Sequence, residues 1–150
     1  ETETDTETES ETDTEEVTPV DPSSFSCVDD DPYEDNDSFE NAMVLESGVA
    51  LEAISCSLDG QYNHDNDIYQ IQVGAGCELN VALTFVHAEG DLELMCYADE
   101  GDTIAGQSTT ESDVESVTYV PEADETVYMS VFPYMSMGNR YSILATVTCQ

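Results

Sequence analysis

Leu79, Val81, Leu83 and Phe85 alternate with Glu78, Asn80, Ala82 and Thr84. A period of two predicts a strand with one apolar face and one mostly solvated face. The same period returns as Tyr69-Ile71-Val73, Leu92-Leu94, Val117-Tyr119, Val127-Met129-Val131 and Tyr141-Ile143-Ala145-Val147, with turn residues Gly74-Ala75-Gly76, Gly90-Asp91 and Gly138-Asn139 between runs. About eight short strands are expected, and no long helical period competes with them. Phe39, Ala42, Met43 and Leu45 fit a short helical turn capped by Asp37 or Ser38. The pattern predicts an all-β fold, an antiparallel jelly-roll-like β-sandwich with polar outer faces.

Residues 1 to 16 also alternate, but acid with hydroxyl and with no apolar position, so they cannot bury a face. Val17 to Ser26 add two prolines. Residues 1–26 are therefore expected to be a disordered Thr/Glu-rich acidic linker and residues 27–150 the sandwich domain. The linker serves as a spacer in the simplest reading; O-glycosylation of its threonines and weak counter-ion capture are the alternatives.

Charge narrows the partners. Arg140 is the only basic residue beside two histidines, against 35 acids, for a net charge of -34. Nucleic acid and anionic membrane surfaces are repelled, while cations and basic partners are attracted. No apolar run approaches a membrane span, so no direct membrane insertion is expected. The absence of an initiator methionine and export signal is read as the mark of a fragment of an exported protein.

The five cysteines have no C-x-x-C spacing, which argues against zinc or redox pairs and for disulfides formed outside the cytosol. Cys77, Cys96 and Cys149 share the parity of core-facing positions. Cys96 has the most apolar setting and is expected to stay free as a small core residue. Cys77, opening one strand, then pairs with Cys149, ending the last, and Cys27 pairs with Cys56.

Two oxygen-rich clusters are candidates for a cation. Glu34, Asn36 and Asp37 lie in turn-forming sequence, and Asp65 and Asp67, two apart, would share one side of an extended segment. Together they offer the carboxylates and amide oxygen that calcium prefers. Neither cluster is an EF-hand loop: counted from Asp35, the sixth position is Glu40, where glycine is required. By composition alone, capping of a turn and flanking of a strand explain the same residues equally well.

In order along the chain, D-P-Y-E-D-N-D-S-F-E-N-A, D-N-D-I-Y-Q-I-Q-V-G-A-G, G-D-L-E-L, E-S-V-T-Y, V-Y-M-S-V and R-Y-S-I-L span residues 29–147. This order and spacing resemble the bacterial pre-peptidase C-terminal domain, related to the collagen-binding domains of clostridial collagenases. The resemblance implies a jelly-roll sandwich, often calcium-stabilised. It also implies that Glu34, Asn36 and Asp37 match the family's E-x-N-D segment, with Asp67, and less closely Asp65, as the later ligand. Cys96 stands where a leucine is usual in the family.

No G-x-S-x-G or H-E-x-x-H is present, and His64 and His87 are the only histidines, so no enzyme is expected. The run 132–140 holds Phe132, Tyr134, Met135, Met137 and Arg140, an unusual content for a loop. It is either a contact surface or a satellite core, with Phe132 and one methionine folded under and Arg140 paired to an acid. The reading that results is a monomeric, non-catalytic accessory module of a secreted or surface-anchored bacterial protein. It would be stabilised by calcium, and would bind an extracellular matrix or cell-surface polymer or aid export. A purely structural spacer domain of a surface lipoprotein is the alternative.

Overall fold

In the computed structural model, residues 33–57 and 65–150 are described. They contain nine strands: β1 (Met43–Val44), β2 (Ala50–Cys56), β3 (Asp67–Val73), β4 (Glu78–Phe85), β5 (Leu92–Ala98), β6 (Thr103–Ser108), β7 (Val114–Tyr119), β8 (Glu125–Pro133) and β9 (Gly138–Thr148). One sheet has the order β1-β3-β8-β5-β6 and the other β2-β9-β4-β7. The expected sandwich is therefore present, with nine strands in place of about eight. The expected domain boundary at residues 26 and 27 lies outside the described residues.

The six alternating runs of the sequence all became strands, because each could turn its apolar parity inward. From one sheet Tyr69, Ile71, Val73, Leu92, Leu94, Cys96, Val127, Met129 and Val131 meet Leu79, Val81, Leu83, Phe85, Val117, Tyr141, Ile143 and Ala145 from the other. The strands without that signal lie at the edges. In β2 and β6 burial does not alternate cleanly, since an edge strand covers only part of the core. β6 nevertheless folds toward β7, and Gly106 permits the approach: a Cβ there would stand 2.5 Å from Val117 Cγ1.

One pairing departs from the antiparallel expectation. β1 runs parallel to β3, with Met43 opposite Tyr69 and Val44 opposite Gln70. Segment 33–45 thus lies along an otherwise free edge of β3, held also by Leu45 N–H to the Gln70 carbonyl (2.9 Å) and Gln70 Nε2 to the Ala42 carbonyl (2.9 Å). The expected turn is a single 3-10 turn, Phe39–Asn41, capped by Ser38, whose hydroxyl accepts from Asn41 N–H. Phe39 packs edge-on against Tyr97 and Tyr128, at 5.6 and 5.0 Å between ring centres, and this anchors the segment to the outer face of the sheet.

Cys77 and Cys149 form a disulfide, their Cα atoms 4.4 Å apart, just outside the Glu78–Thr148 pair of β4 and β9. Cys96 is free and fully buried, and burial pushes its thiol up to about 12, so it is packing and not a nucleophile. Cys56 is disulfide-bonded; Cys27, the partner expected for it, lies outside the described residues.

Candidate metal centre

The local backbone explains how distant acids meet. The Ile68 N–H donates to the Asn36 carbonyl (2.8 Å), which sets residues 34–37 beside the entry to β3. Asp65 is fixed from the other side: its N–H donates to the Cys56 carbonyl (2.9 Å), and the Asp65 carbonyl accepts from Ser55 Oγ (3.0 Å). Glu34, Asp37 and Asp65 consequently each present a carboxylate oxygen within 4.8 Å of the other two.

Asn36, whose backbone N–H donates to Glu34 Oε2 (3.4 Å), is fully buried, and neither its Oδ1 nor its Nδ2 finds a hydrogen-bond partner among the described residues. A buried amide without partners is costly, on the order of 1–3 kcal/mol. A cation would engage the amide oxygen and offset the repulsion of the three carboxylates. The donors are all oxygen, with no thiolate or imidazole in the group, so the residues present fit a hard cation and not zinc or copper. The site could hold a metal ion.

The two aspartates near β3 differ in placement. Strand geometry begins at Asp67, so the alternation that would place Asp65 and Asp67 side by side does not extend to Asp65. Asp65 joins Glu34 and Asp37, whereas Asp67 is outside that group of three. Asp67 is fully buried and follows Tyr69 inward, where the Tyr141 hydroxyl donates to its Oδ2. Tyr69 and Tyr141 share a hydrogen bond of 2.5 Å between their hydroxyls. Burial, and then the charge of Asp67, hold the Tyr141 hydroxyl well above the usual tyrosine range. Nothing in the sequence marked Tyr141, which reads as one more apolar position in an alternating run. His64 lies outside the described residues.

Of the run 132–140 only residues 134–137 form a loop, between the end of β8 and the start of β9, and it adjoins the same end of the sandwich. Ser57 N–H donates to the Met137 carbonyl (3.0 Å), and Gly138 lies against Ser55 and Cys56, where a Cβ would come within 2.1 Å of the Ser55 carbonyl. With φ at 118° as well, only glycine suits this crossing. Tyr134, Met135 and Met137 are exposed and Phe132 is half-buried. The satellite-core expectation of a buried methionine is therefore corrected: the loop turns outward after Pro133 and neither methionine reaches the core. Arg140 is exposed and makes no ion pair among the described residues.

Glu93 was missed, since the alternation Leu92-Leu94 makes it an outward residue of no note. It points outward yet is only 7 % exposed, and its proton affinity is pushed up to about 7 by burial first, then by Asp91 and Glu115. The folded chain thus holds a proton between about pH 4.5 and 7 that the unfolded chain releases, so stability falls as pH rises through that window. Glu93→Gln, neutral and of like shape, is expected to raise the melting temperature at pH 8 and hardly move it at pH 4.5. An equal change at both pH values in calorimetry would contradict this origin.

His87 Nδ1 faces Asp91 Oδ1 at 3.1 Å, and its backbone N–H donates to Asp113 (2.8 Å), which makes it part of a structural corner.

No protein-family model and no curated protein matches the sequence. Solved structures do match the fold. One is the pre-peptidase C-terminal domain of a collagenase from Bacillus anthracis, with a TM-score of 0.56 and 9 % identity, covering 70 % of this chain and 94 % of that one. Another is PliG of Aeromonas hydrophila, a periplasmic inhibitor of g-type lysozyme, with a TM-score of 0.50 and 9 % identity, covering 71 % of this chain and 96 % of that one. The chain has the fold of the pre-peptidase C-terminal domain.

Proposed function

We propose that this domain is a non-catalytic accessory module of an exported bacterial protein, in which calcium fastens the N-terminal segment to the sandwich. Glu34, Asn36, Asp37 and Asp65 are the protein ligands, and Asp67 stands behind them, held by Tyr141. The observation that carries the reading is the fully buried Asn36 side chain without partners, beside three carboxylates whose oxygens lie within 4.8 Å of one another. Export is supported by the Cys77–Cys149 bond and by the bonded state of Cys56, because such bonds persist outside the reducing cytosol.

Segment 33–45 adds one short parallel strand to the sheet, buries Ala42 and Leu45 and rests Phe39 on Tyr97 and Tyr128. A cation that ties its acids to Asp65 raises the stability of the edge of β3 and orients everything that precedes it in the chain. Calcium at about a hundred times its Kd contributes about 2.7 kcal/mol, equivalent to a rise of roughly 10 °C in a domain of this size. Calorimetry with calcium and with chelator measures it. Asp65→Asn should remove most of the difference while leaving the chelated protein's melting temperature unchanged or slightly raised, because one of three mutually repelling charges is gone. Identical melting with calcium and with chelator would defeat the proposal.

The exposed Tyr134, Met135 and Met137 favour a contact role over a purely spacing one. The loop they form is the face we assign to an extracellular polymer.

A further inference from the structure

The strongest feature outside the metal centre is a cleft of about 430 Å³ lined by Glu93, Thr109, Phe132 and Tyr134. Glu93 and Phe132 are direct partners across β5 and β8, so the carboxyl and the ring stand side by side. The Tyr134 N–H and the Ser136 hydroxyl both donate to the Asp91 carbonyl, at 3.0 Å each, and this holds the loop against the cleft.

Three carboxyls face one another here, and two are already occupied. Glu115 is fully buried but accepts from the Ser108 hydroxyl, from Thr110 N–H (2.9 Å) and from the Thr110 hydroxyl (2.7 Å). Asp91 has His87. Glu93 differs: its Oε2 is buried and has no hydrogen-bond partner among the described residues. Glu93 thus lines the cleft beside aromatic rings with a carboxyl that is incompletely partnered.

We propose that this cleft receives the lysine or arginine side chain of a partner polypeptide. The proposal rests on reading the loop after Pro133 as a contact surface, and it names the partner's chemistry. An ammonium or guanidinium group would donate to Glu93 while lying against Phe132 and Tyr134, where ring faces attract cations. It would also relieve the mutual repulsion of Asp91, Glu93 and Glu115, which a neutral ligand would not. A chain of net charge -34 with one arginine draws basic partners toward it.

A pH signature follows from the groups that face Glu93. Burial, then Asp91 just before β5 and Glu115 on β7, keep it protonated up to about pH 7. Glu111 acts on Asp91 in the same sense and His87 against it. A bound cation requires the ionised carboxylate, so affinity should increase about tenfold between pH 6 and pH 8.

Acetylated and amidated pentapeptides with a central lysine, arginine or glutamine, titrated into the full chain at 150 mM salt and followed by backbone amide shifts, test this. The lysine and arginine peptides should perturb Glu93, Thr109, Phe132 and Tyr134, and bind about tenfold more tightly at pH 8 than at pH 6. Glu93→Gln should weaken them about tenfold at pH 8 and flatten the pH dependence. Glu52→Gln, which removes the same charge from an exposed site on β2, should not.

Equal weakening by both variants would reduce the effect to net charge and overturn the proposal. Tighter binding of the glutamine peptide or of maltotriose at pH 6 would overturn it in favour of a neutral hydroxyl or amide ligand. Butylammonium binding as well as the lysine peptide would replace the polypeptide with a small amine. Sensitivity to Tyr134→Ala without sensitivity to Glu93→Gln would keep the contact loop and discard the cleft.

Discussion

Replacing Cys77 and Cys149 together by alanine is expected to lower the unfolding free energy by about 4 kcal/mol. The bond closes a loop of 72 residues, and the entropy withheld from an unfolded chain grows with the logarithm of loop length. Those 72 residues run from the start of β4 through every later strand to the end of β9, so the constraint covers most of the sandwich. The folded state should change little, because the register of eight cross-strand pairs from Glu78–Thr148 to Phe85–Tyr141 holds the same strands together. Urea unfolding of the double variant should therefore show a lower midpoint with a larger slope, since the uncrosslinked chain exposes more surface. A loss under 1 kcal/mol would mean that the unfolded chain is already compact without the bond.

Tyr141→Phe should cost about 3 kcal/mol, although it removes a single oxygen and leaves the ring. Two buried groups lose a partner at once. Asp67 Oδ2 loses its hydroxyl donor and the Tyr69 hydroxyl loses its neighbour. Each buried polar group deprived of a partner costs on the order of 1–3 kcal/mol, with charged groups at the upper end. Tyr69→Phe leaves Asp67 with its tyrosine donor and should cost only about 1 kcal/mol. Pairing Tyr141→Phe with Asp67→Asn tests the origin: the double variant should be less destabilised than the sum of the two single ones. Strict additivity in chemical denaturation would show that the hydroxyl and the carboxylate act independently.

The same pair of residues marks where sequence reasoning reached its limit. Tyr141 and Tyr69 were placed correctly on the inner face by parity, but parity carries no information about what a hydroxyl meets across the sandwich. Asp67 was favoured as a cation ligand because it directly precedes the aromatic strand. The fold turns it inward with Tyr69, where it meets the Tyr141 hydroxyl, and brings Asp65 to Glu34 and Asp37. Glu93 was passed over because an outward position was taken to be a solvated one; burial against Phe132 and Thr109, from β8 and beyond β6, made it otherwise.

By itself the sequence determined the class of fold and its inner face. Side-chain alternation is a local property of extended backbone, so six strands, the core positions, the buried thiol of Cys96 and the joined cysteines at the ends of β4 and β9 could be read from it. What only the tertiary structure decided is everything that depends on two segments meeting. β2 and β6 became strands because partners were available, not because of their own pattern. The parallel placement of β1 on β3 brought Glu34, Asn36 and Asp37 to Asp65, and the loop after Pro133 stayed outside the core. The physical reason is common to all of these: hydrogen bonds and charges act over a few ångströms of space, and separation along the chain does not specify which oxygens will come that close.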